Sequence, residues 1–144
     1  MQQPDISNLI RTDKEAYGLG EPINIFGELT NNSKQALRIN KVFVVEGSLH
    51  PFFFSLDEKK ELSWRLPPMP LPLSQASFLE LSPGETVSYS IPGLDRYLSD
   101  GPPSAGSYRI RIDYISSNYD WQSQKKLDAW AGIANSQDLH IVIE

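Results

Sequence analysis

Two stretches of strict alternation, Thr86 to Ile91 and Ser107 to Tyr114, constrain this chain more than anything else in it. In the first, Val87, Tyr89 and Ile91 fall on one face and Thr86, Ser88 and Ser90 on the other. In the second, Tyr108, Ile110, Ile112 and Tyr114 oppose Ser107, Arg109, Arg111 and Asp113. Side chains of an extended chain point to opposite faces in turn, so a period of two marks a strand with one dry face. Leu81-Ser82-Pro83-Gly84-Glu85 precedes the first strand as a turn, proline presetting φ and glycine free to take φ > 0. The second strand follows a long connection with one helical turn expected at Leu94 to Leu98, and opens at Gly106-Ser107-Tyr108. Amphipathic strands joined by so long a connection fit a sandwich, in which consecutive strands lie in different sheets.

The rest of the chain supplies strands of the same kind. Ile6 to Thr12 reads as an edge strand with Ile6 and Ile10 inward, and Ile23 to Thr30 places Ile23, Ile25 and Leu29 inward around Gly27. Phe26 then falls on the polar face, which marks that face as covered or as a surface patch. Leu37 to Val45 reads as a third strand that slips phase between Ile39 and Val42, so a bulge is expected near Lys41. Glu46 to Pro51 turns the chain, Phe52 to Leu56 forms a short apolar strand, and Asp57 to Lys60 is a hairpin tip. The return passes through Leu62, Trp64 and Leu66, giving aromatic cross-strand pairs. Four prolines in Pro67 to Leu73 exclude a central strand and mark a crossover. Ser116 to Asp128 is a polar loop, Ala129 to Ile133 a short strand kinked at Gly132, and Leu139 to Ile143 a closing strand with Leu139, Ile141 and Ile143 inward. The reading is all-β: an immunoglobulin-like antiparallel β-sandwich of seven to nine strands, one domain over residues 1–144.

A chain of 144 residues buries roughly 70% of its unfolded surface and builds a core without staples. Cysteine is absent, which removes disulfides, thiolate metal sites and cysteine nucleophiles together. A net charge of −5 with no run of like charges argues against nucleic acid and against an anionic membrane as partners. No apolar run approaches the ~18 residues that span a bilayer, and Met1-Gln2-Gln3-Pro4-Asp5 lacks the features of a signal peptide. The expected location is therefore cytoplasmic by default, with secretion left open because a trimmed leader would leave the same sequence.

Several motifs together resemble a bacterial kind of immunoglobulin-like domain. They are Tyr17-x-Leu19-Gly20-Glu21-Pro22-Ile23 before Leu29-Thr30-Asn31, Leu81-x-Pro83-Gly84-Glu85, Ala105-Gly106-x-Tyr108, and Ala129-Trp130-x-Gly132-x-x-x-Ser136. The arrangement is similar to the sandwich domain that precedes the catalytic domain of deuterolysin-like zinc metallopeptidases, and more loosely to small bacterial proteinase-inhibitor-like sandwiches. The resemblance implies the fold and an accessory role. It brings no catalytic residue, since the His-Glu-x-x-His helix of those peptidases has no counterpart here.

Sites of chemistry are sparse. His50 and His140 are the only histidines and neither has a second ligand at helical spacing. There is no Gly-x-Ser-x-Gly elbow and no phosphate-cradling glycine loop. Asp95, Asp100, Asp120, Asp128 and Asp138 sit in loops where calcium would require them to converge, and no segment has the rhythm of an EF-hand loop. No cofactor and no enzymatic activity are expected. Tyr108 resembles a tyrosine corner, a scaffold feature, and Trp64 and Trp130 are expected in or beside the core. The binding candidates are Tyr119 and Trp121, stiff aromatics with polar tips among Ser, Asn and Gln, the composition of binding loops on sandwiches. The expected function is a non-catalytic module that binds a protein partner through one end of the sandwich, or, on the looser resemblance, a proteinase inhibitor. Carbohydrate binding is the third reading and needs Trp64, Tyr119 and Trp121 on one flat exposed platform.

Overall fold

A computed structural model describes residues 4–45, 47–65, 75–120 and 123–144. The described strands are β1 (Ile6–Thr12), β2 (Ala16–Tyr17), β3 (Ile25–Asn31), β4 (Leu37–Asn40), β5 (Leu49–Ser55), β6 (Lys60–Glu61), β7 (Phe78–Leu81), β8 (Thr86–Ile91), β9 (Gly106–Ser116), β10 (Tyr119–Asp120), β11 (Lys125–Lys126), β12 (Gly132–Asn135) and β13 (Leu139–Ile143). Nine of these are four residues or longer, the upper end of the expected range, and the only helical pieces described are single 3₁₀ turns at Gln75–Ser77 and Leu94–Tyr97. None of the described residues forms a helix long and apolar enough to cross a membrane.

The fold is an all-β, immunoglobulin-like sandwich. The two larger sheets have the orders β1-β3-β8 and β2-β13-β9-β5-β6, with β12 also on β9, and β4 pairs with β7 as a separate two-stranded sheet. The alternating strands β8 and β9 therefore lie in different sheets, as their long connection requires. The turn between β7 and β8 takes the form its sequence dictates: Gly84 has φ 80° and the Glu85 amide donates to the Ser82 carbonyl at 2.9 Å.

The eleven-residue β9 is the spine of the larger sheet. β5 runs along one edge of it, from Leu49 opposite Tyr114 to Ser55 opposite Tyr108. β12 and β13 share the other edge, one at each end of β9. Its inward residues Tyr108, Ile110, Ile112 and Tyr114 are buried, as are Phe53 and Ile141 beside them and Ile23, Ile25, Leu29, Ile6 and Ile10 across the core. Tyr108 is a tyrosine corner in fact: its hydroxyl donates to the Ser104 carbonyl at 2.6 Å.

Two features of the smaller sheet explain residues that looked out of place. Gly27 is glycine because the Tyr89 ring lies across it; a Cβ there would come within 2.0 Å of the ring. The Tyr89 hydroxyl thereby reaches the buried Asn8 Oδ1 at 2.7 Å, while Asn8 Nδ2 donates to the Ile112 and Ala134 carbonyls at 2.9 and 3.1 Å. Phe26 is outward, as its phase demands, with the Arg11 guanidinium 4.6 Å above its ring.

Other expectations are corrected. β4 ends at Asn40 and does not continue through a bulge to Val45. The Asn40 side chain accepts from the Val42 amide at 2.7 Å, and the Phe43 and Val44 amides donate to the Lys41 and Val42 carbonyls at 3.0 Å, turning the chain tightly. β5 starts at Leu49, taking in a Pro51 expected in the turn. The hairpin that follows pairs Phe54 with Glu61 rather than with an aromatic. Phe53 makes its ring contact with Tyr108 at 5.1 Å, while Phe52 and Phe54 face outward under Arg111 and Arg109. The strand expected over Ala129 to Ile133 forms instead at β12, beginning at the glycine read as its kink. Leu66 and the crossover Pro67 to Leu73 lie outside the described residues.

Candidate functional site

The segment expected to be an open polar loop is a small hairpin standing on the end of β9. Past Ser116 the chain pairs Tyr119 with Lys126 and Asp120 with Lys125. The Leu127 amide donates to the Asn118 carbonyl at 2.6 Å, extending the ladder below the pair. The turn is held by Asp120, whose Oδ2 accepts from the Ser123 amide and hydroxyl at 3.3 and 2.7 Å. Asp120 is buried by these contacts and Gln124 carries the left-handed backbone, φ 55°, that the reversal needs.

The base of the hairpin is tied into the core edge. The Trp130 amide donates to the Arg38 carbonyl at 2.7 Å, and Arg38 Nη1 returns a hydrogen bond to the Asp128 carbonyl at 3.0 Å. Ser116 Oγ donates to the Trp130 carbonyl at 3.0 Å and accepts from the Asn40 amide at 3.2 Å. The buried Tyr114 hydroxyl takes the Asn40 carbonyl at 2.6 Å, and burial pushes its pKa well above the usual phenol range. The Tyr114 ring lies parallel to Trp130 with centroids 6.5 Å apart. β4, β9 and the chain after the hairpin are thus locked to one another at the base of a two-stranded ribbon, the arrangement that lets a rigid scaffold present a loop.

Tyr119 is half-buried and Lys125 and Lys126 are exposed. Trp121, the other binding candidate, lies outside the described residues, as does Gln122. Trp64 is partly buried against the core and bridged to Leu98, and its indole N–H is buried without an acceptor among the described residues. It therefore does not contribute a face to an exposed aromatic platform, and the carbohydrate reading loses one of its three members. Trp130 is likewise packed against the core, as expected.

The loop carboxylates do not converge. Among the described residues no three His, Asp or Glu side chains come together as a metal site. Asp95 caps the Ile23 amide at 2.9 Å, Asp120 holds the hairpin turn, and Asp138 faces Arg109 at 4.0 Å. His140 is exposed opposite Arg109, and His50 sits across from Asp113 on the outer face of the larger sheet. Asp113 itself is occupied, accepting from Arg111 Nε at 3.0 Å and from Asn135 at 2.9 Å.

Arg38 and Asn118 carry the hairpin yet were not legible as site residues. Each acts through a contact far along the chain or through a backbone carbonyl, and neither leaves a spacing signature.

No family model matches the sequence, and no curated protein does. Among solved structures the chain is similar to the CARDB domain of the PF1109 protein from Pyrococcus furiosus, described in complex with di-metal ions. The identity is 12%, the TM-score 0.45, and the match covers 98% of this chain and 89% of that one. It is also similar to the β-glucosidase EmGH1 from Erythrobacter marinus, at 12% identity and TM-score 0.48 over 96% of this chain. This chain spans only 15% of that enzyme's length.

Proposed function

We propose that this sandwich is a non-catalytic accessory module that binds a protein partner through the hairpin beyond β9, with Tyr119 and Trp121 as its anchors. The observation that carries the reading is the mounting of that hairpin: a short ribbon whose base is pinned by Arg38, Asn40, Ser116 and Trp130. A preorganised ribbon loses little conformational entropy on binding, and stiff amphipathic aromatics supply contact area at low cost. An accessory role is also what the resemblance of its turns and strand starts to the sandwich domain of deuterolysin-like metallopeptidases implies.

Affinity capture with the parent protein and with the Tyr119→Ala, Trp121→Ala double variant tests this, circular dichroism confirming that both are folded. A protein retained by the parent and lost by the variant supports the hairpin. Equal retention by both removes it as the binding element. Incubating the parent with serine, cysteine and metallo-proteinases shows whether that partner is a proteinase.

A further inference from the structure

β12 and β13 are separated by Ser136, Gln137 and Asp138, and two of these residues act as strand substitutes. The Ser136 amide donates to the Ile112 carbonyl at 3.0 Å, and the Ile112 amide returns a hydrogen bond to Ser136 Oγ at 2.8 Å. Gln137 does the same toward the other sheet with its side chain alone. Its Oε1 accepts from the Ile10 amide at 3.0 Å and its Nε2 donates to the Ile10 carbonyl at 2.6 Å. These are the two hydrogen bonds that a neighbouring strand would make with Ile10.

Among the described residues β1 is the edge of its sheet, pairing with β3 on one side only. Backbone groups of alternate residues point away from β3, so Ile6, Asn8, Ile10 and Thr12 share the outward edge. Ile10 is the residue of that set that Gln137 occupies. Of the usual defences of an edge strand, β1 has no proline and no bulge; it has Arg11 as its single charge and the segment carrying Gln137 across its edge. It also carries Leu9, 60% exposed, on its outer face.

We propose that Gln137 is a plug on a latent strand-addition edge, and that the occupant it keeps out is β1 of a second copy of this chain. The register argues for that occupant. An antiparallel pairing about a two-fold axis at Leu9 sets Ile10 opposite Asn8, Ile6 opposite Thr12 and Arg11 opposite Ser7. The pairs Ile10 with Asn8 and Ile6 with Thr12 then match outward groups with outward groups, no like charges meet, and the two Leu9 side chains cover one another. Gln137 is itself exposed, so its replacement removes the plug without opening the core.

Sedimentation of the parent, Gln137→Ala and Gln137→Met over a range of concentrations, with amide exchange at Ile10, tests the assignment. Both variants are expected to dimerise with rising concentration where the parent does not. At low concentration, Ile10 exchange in both variants should quicken on the order of tenfold. Adding Leu9→Lys to Gln137→Ala places two ammonium groups together at the axis and is expected to restore the monomer while exchange stays fast. Variants that lose protection at Ile10 yet remain monomeric overturn the second-copy occupant, and unchanged exchange overturns the plug itself. A dimer that tolerates Leu9→Lys overturns the register and with it the proposal.

Discussion

Asn8, Gly27 and Tyr89 are three residues on three strands that work as one. Tyr89 fits because position 27 has no side chain, and it supplies the hydrogen bond that Asn8 Oδ1 needs in a buried setting. Gly27→Ala forces the ring aside and is expected to cost about 1–3 kcal/mol by urea denaturation. Tyr89→Phe keeps the packing and leaves Asn8 Oδ1 without its donor, for a smaller loss of about 1 kcal/mol. If the two variants prove equally stable, the close approach of ring and backbone is not what fixes glycine there. The sequence places Gly27 inside a strand and Tyr89 inward. That they meet is invisible to it, because the register between β3 and β8 is set across a separation of more than fifty residues.

Among the elements, β8, β9 and β13 were the most legible, since a strand with one dry face writes its alternation into the sequence. β4 was the least. Its apparent phase slip is a strand end: Asn40 turns its side chain to the Val42 amide, its carbonyl to Tyr114 and its amide to Ser116. Partners of that kind outbid a further stretch of ladder, and two of the three lie more than seventy residues away. The two short hairpins share a device as well. Lys59 and Gln124 each hold left-handed backbone, φ 54° and 55°, one residue before the return strand. A side chain in that conformation costs roughly 1 kcal/mol, so Gln124→Gly is expected to raise the melting temperature modestly. No gain, or a loss, would mean that the Gln124 side chain contributes contacts that offset its backbone.

Across the whole molecule, three buried tyrosines give stability a dependence on alkaline pH. Burial, and after it the hydrogen bond to Asp13, pushes Tyr17 up to about 12; burial raises Tyr89 and Tyr114 as well. The unfolded phenol titrates near 10, so the folded form holds its proton more tightly. Its contribution is complete below about pH 10 and is lost as pH rises from there through about 12. Denaturation midpoints are expected to fall across that window, and Tyr17→Phe to make the fall shallower without abolishing it. A midpoint independent of pH above 10 would contradict the burial of all three hydroxyls. On the acid side the sign reverses. The hydrogen bond from Tyr17 holds Asp13 below the usual carboxylate range, so that contribution is present at neutral pH and fades as pH falls through the folded value.

The fold class, the long β9, the inward sets of β1, β3, β8 and β13, and the corner at Tyr108 were determined by the sequence alone. Each depends on a period or a turn signal that lies within about ten neighbouring residues. The tertiary structure alone decided the end of β4, the ribbon beyond β9 with its footing on Arg38, and the clasp of Ser136 and Gln137 on both sheets. These rest on side chains answering backbone groups of distant strands, and a hydrogen bond of that kind imposes no spacing on the residues that make it.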